Sequence, residues 1–349
     1  MDLILRVYEL PLKHRFTISR QSFDTKRTLI VELREGGHSG YGEASENPYY
    51  HMSIEDMVED LIRCTELISK SLNEKPQDFW AFMHPHLSED MFALCALDMA
   101  YHDLYTRKKG KKLYELWDLD VRKNPLSNFT IGIDSIENMI LKMQETPWPI
   151  YKIKLGTDRD LEIVRALRKH SEAVFRIDAN CAWDADTALK NARELSKLGV
   201  EFIEQPLPPA DNEGNRFLFD HSPLPIIADE SCQVEKDVDL CFQQFHGVNV
   251  KLVKCGGLSP ALRMLSRAEE LGMKKMIGCM TESSVGISAI AHLLPLVDYA
   301  DLDGATLLKA DIAEGIELKN GKAIYSDRPG TGAKLNHKDR NVTFSSEIN

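Results

Sequence analysis

Between about residues 126 and 315 the chain switches repeatedly between two hydrophobic periods. Short runs with a period near two, "SNFTIGI", "IYKIKL", "VFRIDAN", "VEFIEQP", "PIIADES", "GVNVKLV", "KMIGCM" and "YADLDG", predict eight strands. The stretches between them carry helical stripes. "DADTALKNARELSKLG" opens with an Asp cap and closes on Gly. "LSPALRMLSRAEELG" has Ser then Pro at its start, and its Leu258, Ala261, Leu262, Leu265, Ala268 and Leu271 fall on one face. Eight such units with short connections predict an α/β chain built on a closed (β/α)8 TIM-like barrel, although an open doubly wound sheet shares most of these local signals.

Residues 1–125 read differently. "LILRVYELPL" and "TLIVELRE" predict strands, and "EGGHSGYGEAS" a glycine-opened turn into a third. Two helices follow, "SIEDMVEDLIRCTELISKSL" and "SEDMFALCALDMAYHDLYTRKKG", each with an opening Ser as N-cap, and "HPH" at 84–86 reads as a turn. This is an α+β unit. "DVRKNPLSN" marks a break after it, and the tail 316–349 contains a hairpin and loop that can return to the first unit.

Composition narrows the function classes. With 349 residues, 43% hydrophobic and 28% charged, the chain is a soluble globular protein, and no apolar run approaches the roughly 18 residues of a membrane span. Charges come too early in the first residues for a secretory segment. Seven cysteines, an odd number without CxxC pairs, read as free thiols in a reducing cytoplasm. A net charge of -11 argues against nucleic-acid or anionic-membrane partners.

Polar residues at the strand ends carry the chemistry. Lys154, Asp178, Glu204, Asp229 and Lys251 end the second to sixth strands, at spacings of 24, 26, 25 and 22 residues. In a barrel one parity of each strand points inward and functional groups collect at the C-terminal ends, so all five would meet at one mouth. Each acid alone reads better as an N-cap for the next helix. Three at matching positions repel one another unless a cation sits among them, and hard oxygen ligands with no His or Cys in register point to Mg2+, or Mn2+ as a substitute. Asn180 and Glu230 lie close enough to support such a site, or simply to bond within their loops. Lys152 shares a face with Lys154. A neighbouring ammonium, a divalent cation and partial burial would each lower a lysine pKa toward that of a usable base. A metal between two opposed bases suits removal of a proton α to a carboxylate.

Taken in order, "KIKLG", "RIDAN", "FIEQP", "IADES" and "VNVKLVKCGGL" resemble the enolase superfamily, and within it the muconate-lactonising subgroup, over nearly the whole chain. The resemblance implies that Lys154 and Lys251 are the acid/base couple and that Asp178, Glu204 and Asp229 are the metal ligands. It also implies that residues 1–125, completed by the tail 316–349, cap a barrel spanning 126–315, with "TISRQSF" and "ENPYYHM" as closing loops. The pair Asp301 and Asp303 in "ADLDG" looks like that of the dipeptide epimerases, where it holds the substrate's α-ammonium; two fixed carboxylates suit a cation and repel an anion. Thr130, Lys152, Cys279 and Met280 match positions that line the dipeptide. The strand-seven histidine of mandelate-racemase-like relatives is missing. The implied function is a Mg2+-dependent dipeptide epimerase, a cytoplasmic homo-oligomer. Its alternatives are an o-succinylbenzoate synthase, an N-acylamino acid racemase, a cycloisomerase or a non-catalytic barrel. Glutamate-accepting members place an arginine in the first capping loop, and Arg20 lies there.

Overall fold

A computed structural model describes residues 1–71, 74–337 and 340–346. The first three strands, β1 (Asp2–Ile18), β2 (Gln21–Glu35) and β3 (His38–Ser45), form an antiparallel sheet, and the tail strand Val342–Ser345 pairs with β1 as its fourth member. The tail therefore returns to the first unit. Along β2 alternate side chains enter different cores. Leu29, Val31 and Leu33 pack toward the helices, while Ile30 joins Tyr8, Leu10, Tyr41 and Val285 on the other face.

Four helices follow: α1 (Ile54–Arg63), α2 (Thr65–Lys70), α3 (Pro76–Leu87) and α4 (Met91–Lys108). Ser53 caps α1 by accepting from the Asp56 amide, as predicted, but the first helical stretch divides at Cys64. Two local expectations are overturned. "HPH" is not a turn; it lies in α3, where Phe79, Trp80, Met83 and Leu87 share a buried face that holds the helix through Pro85 to its last turn. Ser88 ends α3, and α4 is capped instead by Asp90, whose carboxylate accepts from the Ala93 amide at 2.8 Å. β3 lies directly on α4. A Cβ at Gly42 would stand 1.9 Å from the Ala96 carbonyl oxygen, so only glycine permits that approach.

The eight predicted strands all form: β4 (Phe129–Ile131), β5 (Ile150–Lys154), β6 (Val174–Asp178), β7 (Val200–Glu204), β8 (Ile226–Ala228), β9 (Gly247–Lys251), β10 (Lys274–Gly278) and β11 (Tyr299–Asp301). They pair in parallel in sequence order, and a parallel bridge from Ser127 to Ala300 brings the first strand against the last. The result is the (β/α)8 barrel, not the open sheet. Around it run α5 (Ile136–Glu145), α6 (Asp160–Arg168), α7 (Ala185–Lys197), α8 (Asn212–His221), α9 (Glu235–Cys241), α10 (Leu252–Cys255), α11 (Leu258–Glu270) and α12 (Ser284–Ala291). Asp184 caps α7 as expected. Deep in the barrel Phe202, Ile227 and Met276 form an apolar plug, so the interior is a packed core that supports a polar mouth. The "KCGGLSPA" turn needs its glycines for packing: a Cβ at Gly257 would lie 2.4 Å from the Asp98 carboxylate, which accepts from the Ser259 amide and hydroxyl at the start of α11. That helix end is already satisfied by protein.

Candidate active site

The parallel register places Lys154, Asp178 and Glu204 side by side on β5, β6 and β7. Asp229 follows the end of β8, and Lys251 closes β9. The lysines are thus four strands apart in an eight-stranded barrel, on opposite sides, with one carboxylate from each intervening strand. Ligand oxygens of Asp178, Glu204 and Asp229 all lie within 4.8 Å of one another. All three residues are buried.

Lysines neutralise this cluster. Lys152 Nζ lies 3.0 Å from Asp178, 2.7 Å from Glu204 and 2.8 Å from Asp301. Lys154 donates to Asp178 at 2.6 Å, and Lys251 to Asp229 at 2.8 Å. For Lys251 the electrostatic expectation is therefore reversed in the protein alone. Burial pulls the Lys251 ammonium down, but Asp229 and Glu204 outweigh it and hold the group above the ordinary lysine value. Lys152 is raised likewise: burial opposes its charge, and Asp301, Glu204 and Asp178 overcome that opposition. At Lys251 the attraction of Asp229 exceeds the repulsion of the Lys152 ammonium.

A cleft of about 750 Å³, counting its open mouth, lies above the cluster. Thr130, Lys152, Lys154, Asp229, Lys251, Cys279, Met280, Asp301 and Asp303 all line it, whereas Asp178 and Glu204 lie beneath its wall. Asp301 accepts from Lys152 and from the Asn128 side-chain NH2, the latter at 2.7 Å. Asp303 begins the turn after β11, but its carboxylate makes no helix cap and instead accepts from the Thr130 backbone N–H. The two acids are held apart electrostatically. Burial and the Asp301 charge push Asp303 up to about 7, while at Asp301 burial is overcome by Lys152 and the carboxyl falls below its usual value.

The β1–β2 hairpin tip reaches over the barrel. Ser19 and Arg20 both donate to the Asn180 carbonyl, and Arg20 pairs with Glu230 at 2.7 Å while stacking 4.0 Å above the Tyr49 ring. Both predicted closing segments therefore meet the barrel mouth: "TISRQSF" contributes Ser19 and Arg20, and "ENPYYHM" contributes Asn47 and Tyr50, which line the cleft. Asn180 and Glu230 hydrogen-bond each other at 3.4 Å.

Sequence reasoning missed three supports. Lys254 is buried and gives Asp229 two bonds of 2.6 Å, to its carboxylate and its carbonyl, plus one of 2.8 Å to the Cys232 carbonyl. Asn249, one layer below Lys251, donates to Glu204 at 2.8 Å. Gln205 accepts from the Asp229 and Ser231 amides, tying the end of β7 to that of β8. Its backbone takes a left-handed φ of 36° directly after Glu204, and Asn180 and Cys181 do the same after Asp178. Lys251 and Asn249 share strand parity and Lys254 follows three residues on, which was the available signal.

The sequence matches the family described as "Mandelate racemase / muconate lactonizing enzyme, N-terminal domain" over residues 3–117 and that described as "Enolase C-terminal domain-like" over 136–340. It is 60% identical to the L-Ala-D/L-amino acid epimerase of Flavobacterium johnsoniae, covering 96% of this chain and 100% of that one. The chain belongs to the dipeptide epimerase family of the enolase superfamily. A second family member, the L-Ala-D/L-amino acid epimerase of a Maribacter species, is 51% identical over 96% of this chain and 100% of its own length. Among solved structures, the dipeptide epimerase from Enterococcus faecalis V583, complexed with Mg and the dipeptide L-Leu-L-Tyr, superposes with a TM-score of 0.89 at 29% identity, over 95% of this chain and 98% of that one. No described helix is long and apolar enough to cross a membrane.

Proposed function

We propose that the chain is a Mg2+-dependent dipeptide epimerase that inverts the α-carbon of the C-terminal residue by 1,1-proton transfer. The observation that carries this reading is the pair of opposed lysines, Lys154 and Lys251, facing one cleft with three carboxylates on the strands between them. The donor set fits a hard divalent cation: only carboxylate oxygens, close enough to share one ion, with Glu230 Oε2 a further buried acceptor that no described residue satisfies. Held by Asp178, Glu204 and Asp229, Mg2+ would supply positive charge that offsets these carboxylates and favours build-up of negative charge on the substrate carboxylate.

The protein residues divide the rest. The neutral amine of one lysine takes the α-proton, breaking the C–H bond and leaving its electron pair in an enolate. The ammonium of the other lysine returns a proton to the opposite face. Each lysine serves one stereoisomer. Lys152, set among Asp178, Glu204 and Asp301, meets the carboxylate end of the dipeptide, and its interaction strengthens as that end becomes a dianion. Lys254 and Asn249 hold Asp229 and Glu204 in place. Asp301 and Asp303 receive the α-ammonium, with Thr130, Cys279 and Met280 completing the wall. Residues 1–125 with the tail 316–349 act as the cap, and 126–315 as the catalytic barrel.

A dipeptide library beginning with L-Ala-Xaa, incubated in D2O with and without Mg2+ and read by mass, tests this. The expected result is Mg2+-dependent incorporation of one α-deuterium; uptake that ignores the metal, or none with any dipeptide, rejects the reading. Seven free cysteines, six of them buried, support a reducing cytoplasm, and light scattering tests the homo-oligomer that the family suggests.

A further inference from the structure

Among the described residues five lysines are buried, and four of them touch a carboxylate. Lys152, Lys154, Lys251 and Lys254 each have an acidic oxygen within 3.0 Å. The fifth is Lys26, on β2 opposite Leu10, only 7% exposed. Among the described residues no hydrogen-bond acceptor or carboxylate reaches its Nζ. Glu46, the acid whose charge it feels, is engaged by Arg27 at 3.4 Å. The ammonium lies 5.2 Å from the centre of the Phe23 ring, itself 5.6 Å from Phe16. Lys26 lines the same cleft as Lys154 and Lys251.

The Lys26 stem is buried, while its ammonium, with no acceptor among the described residues, is left facing the open cleft. Burial accordingly holds Lys26 below the ordinary lysine value. Its head faces an aromatic-walled part of the substrate cleft. Arg20, the cation that sequence alone put forward for side-chain recognition, is committed elsewhere: to Glu230, to the Asn180 carbonyl and to the Tyr49 ring.

We propose that Lys26 is the specificity-determining cation of the cleft and that it selects dipeptides carrying a carboxylate side chain. This rests on the dipeptide reading above and deepens it. A charged hydrogen bond formed only with the acid is worth about 1.5–3 kcal/mol, roughly 10- to 100-fold in kcat/KM over the isosteric amide. The chain's own geometry leaves open which residue of the dipeptide bears the acid, so the test has two arms.

The experiment compares kcat/KM for L-Ala-L-Glu, L-Ala-L-Gln and L-Ala-L-Lys, and for L-Glu-L-Ala, L-Gln-L-Ala and L-Lys-L-Ala, in wild type, Lys26→Met and Lys26→Glu. Wild type should prefer the acid by about tenfold or more in one arm, which identifies the position. Lys26→Met should collapse that ratio to about twofold or less, and Lys26→Glu should turn the preference toward a lysine side chain at the same position. Because each readout is a ratio within one protein, partial misfolding of a variant cancels. Wild-type ratios near one in both arms, or a ratio that survives Lys26→Met, overturn the proposal while leaving the epimerase reading intact. Failure of every dipeptide to exchange its α-proton overturns the epimerase reading itself.

Discussion

The helix α4 and the barrel mouth both bury carboxylates, and they neutralise them with different kinds of donor. On α4, Asp103 accepts from the backbone amides of Tyr41 at 2.9 Å and Thr331 at 2.7 Å and from the Thr331 hydroxyl, and it forms an ion pair with Arg107. Asp98 on the same helix is held by the amide and hydroxyl of Ser259. These donors are fixed by the fold, and through Asp103 they tie α4 to β3 and to the tail. At the mouth, Asp178, Glu204 and Asp229 face mainly lysine ammoniums on four-carbon stems, which can withdraw, exchange partners or give up a proton. Amides make a carboxylate structural; lysines keep one available. The same residue type at the same burial thus has two roles, set by whether its partner can move.

The largest effect should come from cutting the mobile set. Lys251→Ala is expected to lower epimerisation in both directions by at least about 10³-fold, the scale of a lost general acid or base. Exchange of the α-proton with solvent should persist for one stereoisomer. Stability should fall by less than about 1 kcal/mol, because Lys254 still pairs with Asp229 after Lys251 is gone. Urea unfolding beside turnover assays separates the two readouts; full epimerisation in that variant would end the two-base scheme. Asp103→Ala should do the converse. It leaves Arg107 and two buried amides without their partner, at about 3–5 kcal/mol of stability, with the mouth groups untouched. If that variant unfolds at the wild-type urea midpoint, the contrast between fixed and mobile donors does not hold.

That contrast also explains what was legible beforehand. Strand-end residues at regular spacing announce themselves, since a β/α unit repeats about every 25 residues and parity does the rest; Lys154, Asp178, Glu204, Asp229 and Lys251 were read that way. The eight strands and the returning tail were equally visible. Groups whose partners come from remote loops were not. Lys254 looks like a surface lysine until the turn after β9 folds it under Asp229. Arg20 sits in the expected hairpin, yet its pairing with Glu230 depends on how far that hairpin leans across the barrel. The "HPH" error has the same origin: a proline argues locally against helix, and the buried face of α3 overrides it.

A pH experiment probes the fixed region further. His292, on the turn after α12, accepts from the Tyr114 amide at 3.0 Å and lies 3.2 Å from the Thr331 carbonyl, so its neutral form fits both partners. Burial holds it down to about 4, against an ordinary value of 6.5. Above 6.5 neither folded nor unfolded chain binds this proton, and its full contribution to stability is present. As the pH falls from 6.5 toward 4 the unfolded chain takes the proton and the folded one does not, removing about 3 kcal/mol. His292→Gln keeps an acceptor and a donor without titrating. Its urea midpoint should fall less steeply than that of wild type over this interval, and parallel acid slopes would contradict the assignment.

The smallest predicted effect asks whether the mouth carboxylates are available in the sense claimed. A ligand that binds only the folded state stabilises it by mass action, so Mg2+ at about a hundred times its Kd should raise the unfolding free energy by about 2.7 kcal/mol. Glu204→Gln should abolish that rise. In Mg2+-free buffer it should cost little, because Gln keeps an acceptor for Asn249 and Lys152 retains Asp178 and Asp301. Asp103→Asn, by contrast, should lose stability with or without the metal and keep the Mg2+ increment. A wild-type midpoint that Mg2+ does not move would make the mouth cluster as structural as the one on α4, and the distinction between the two regions would then rest on geometry alone.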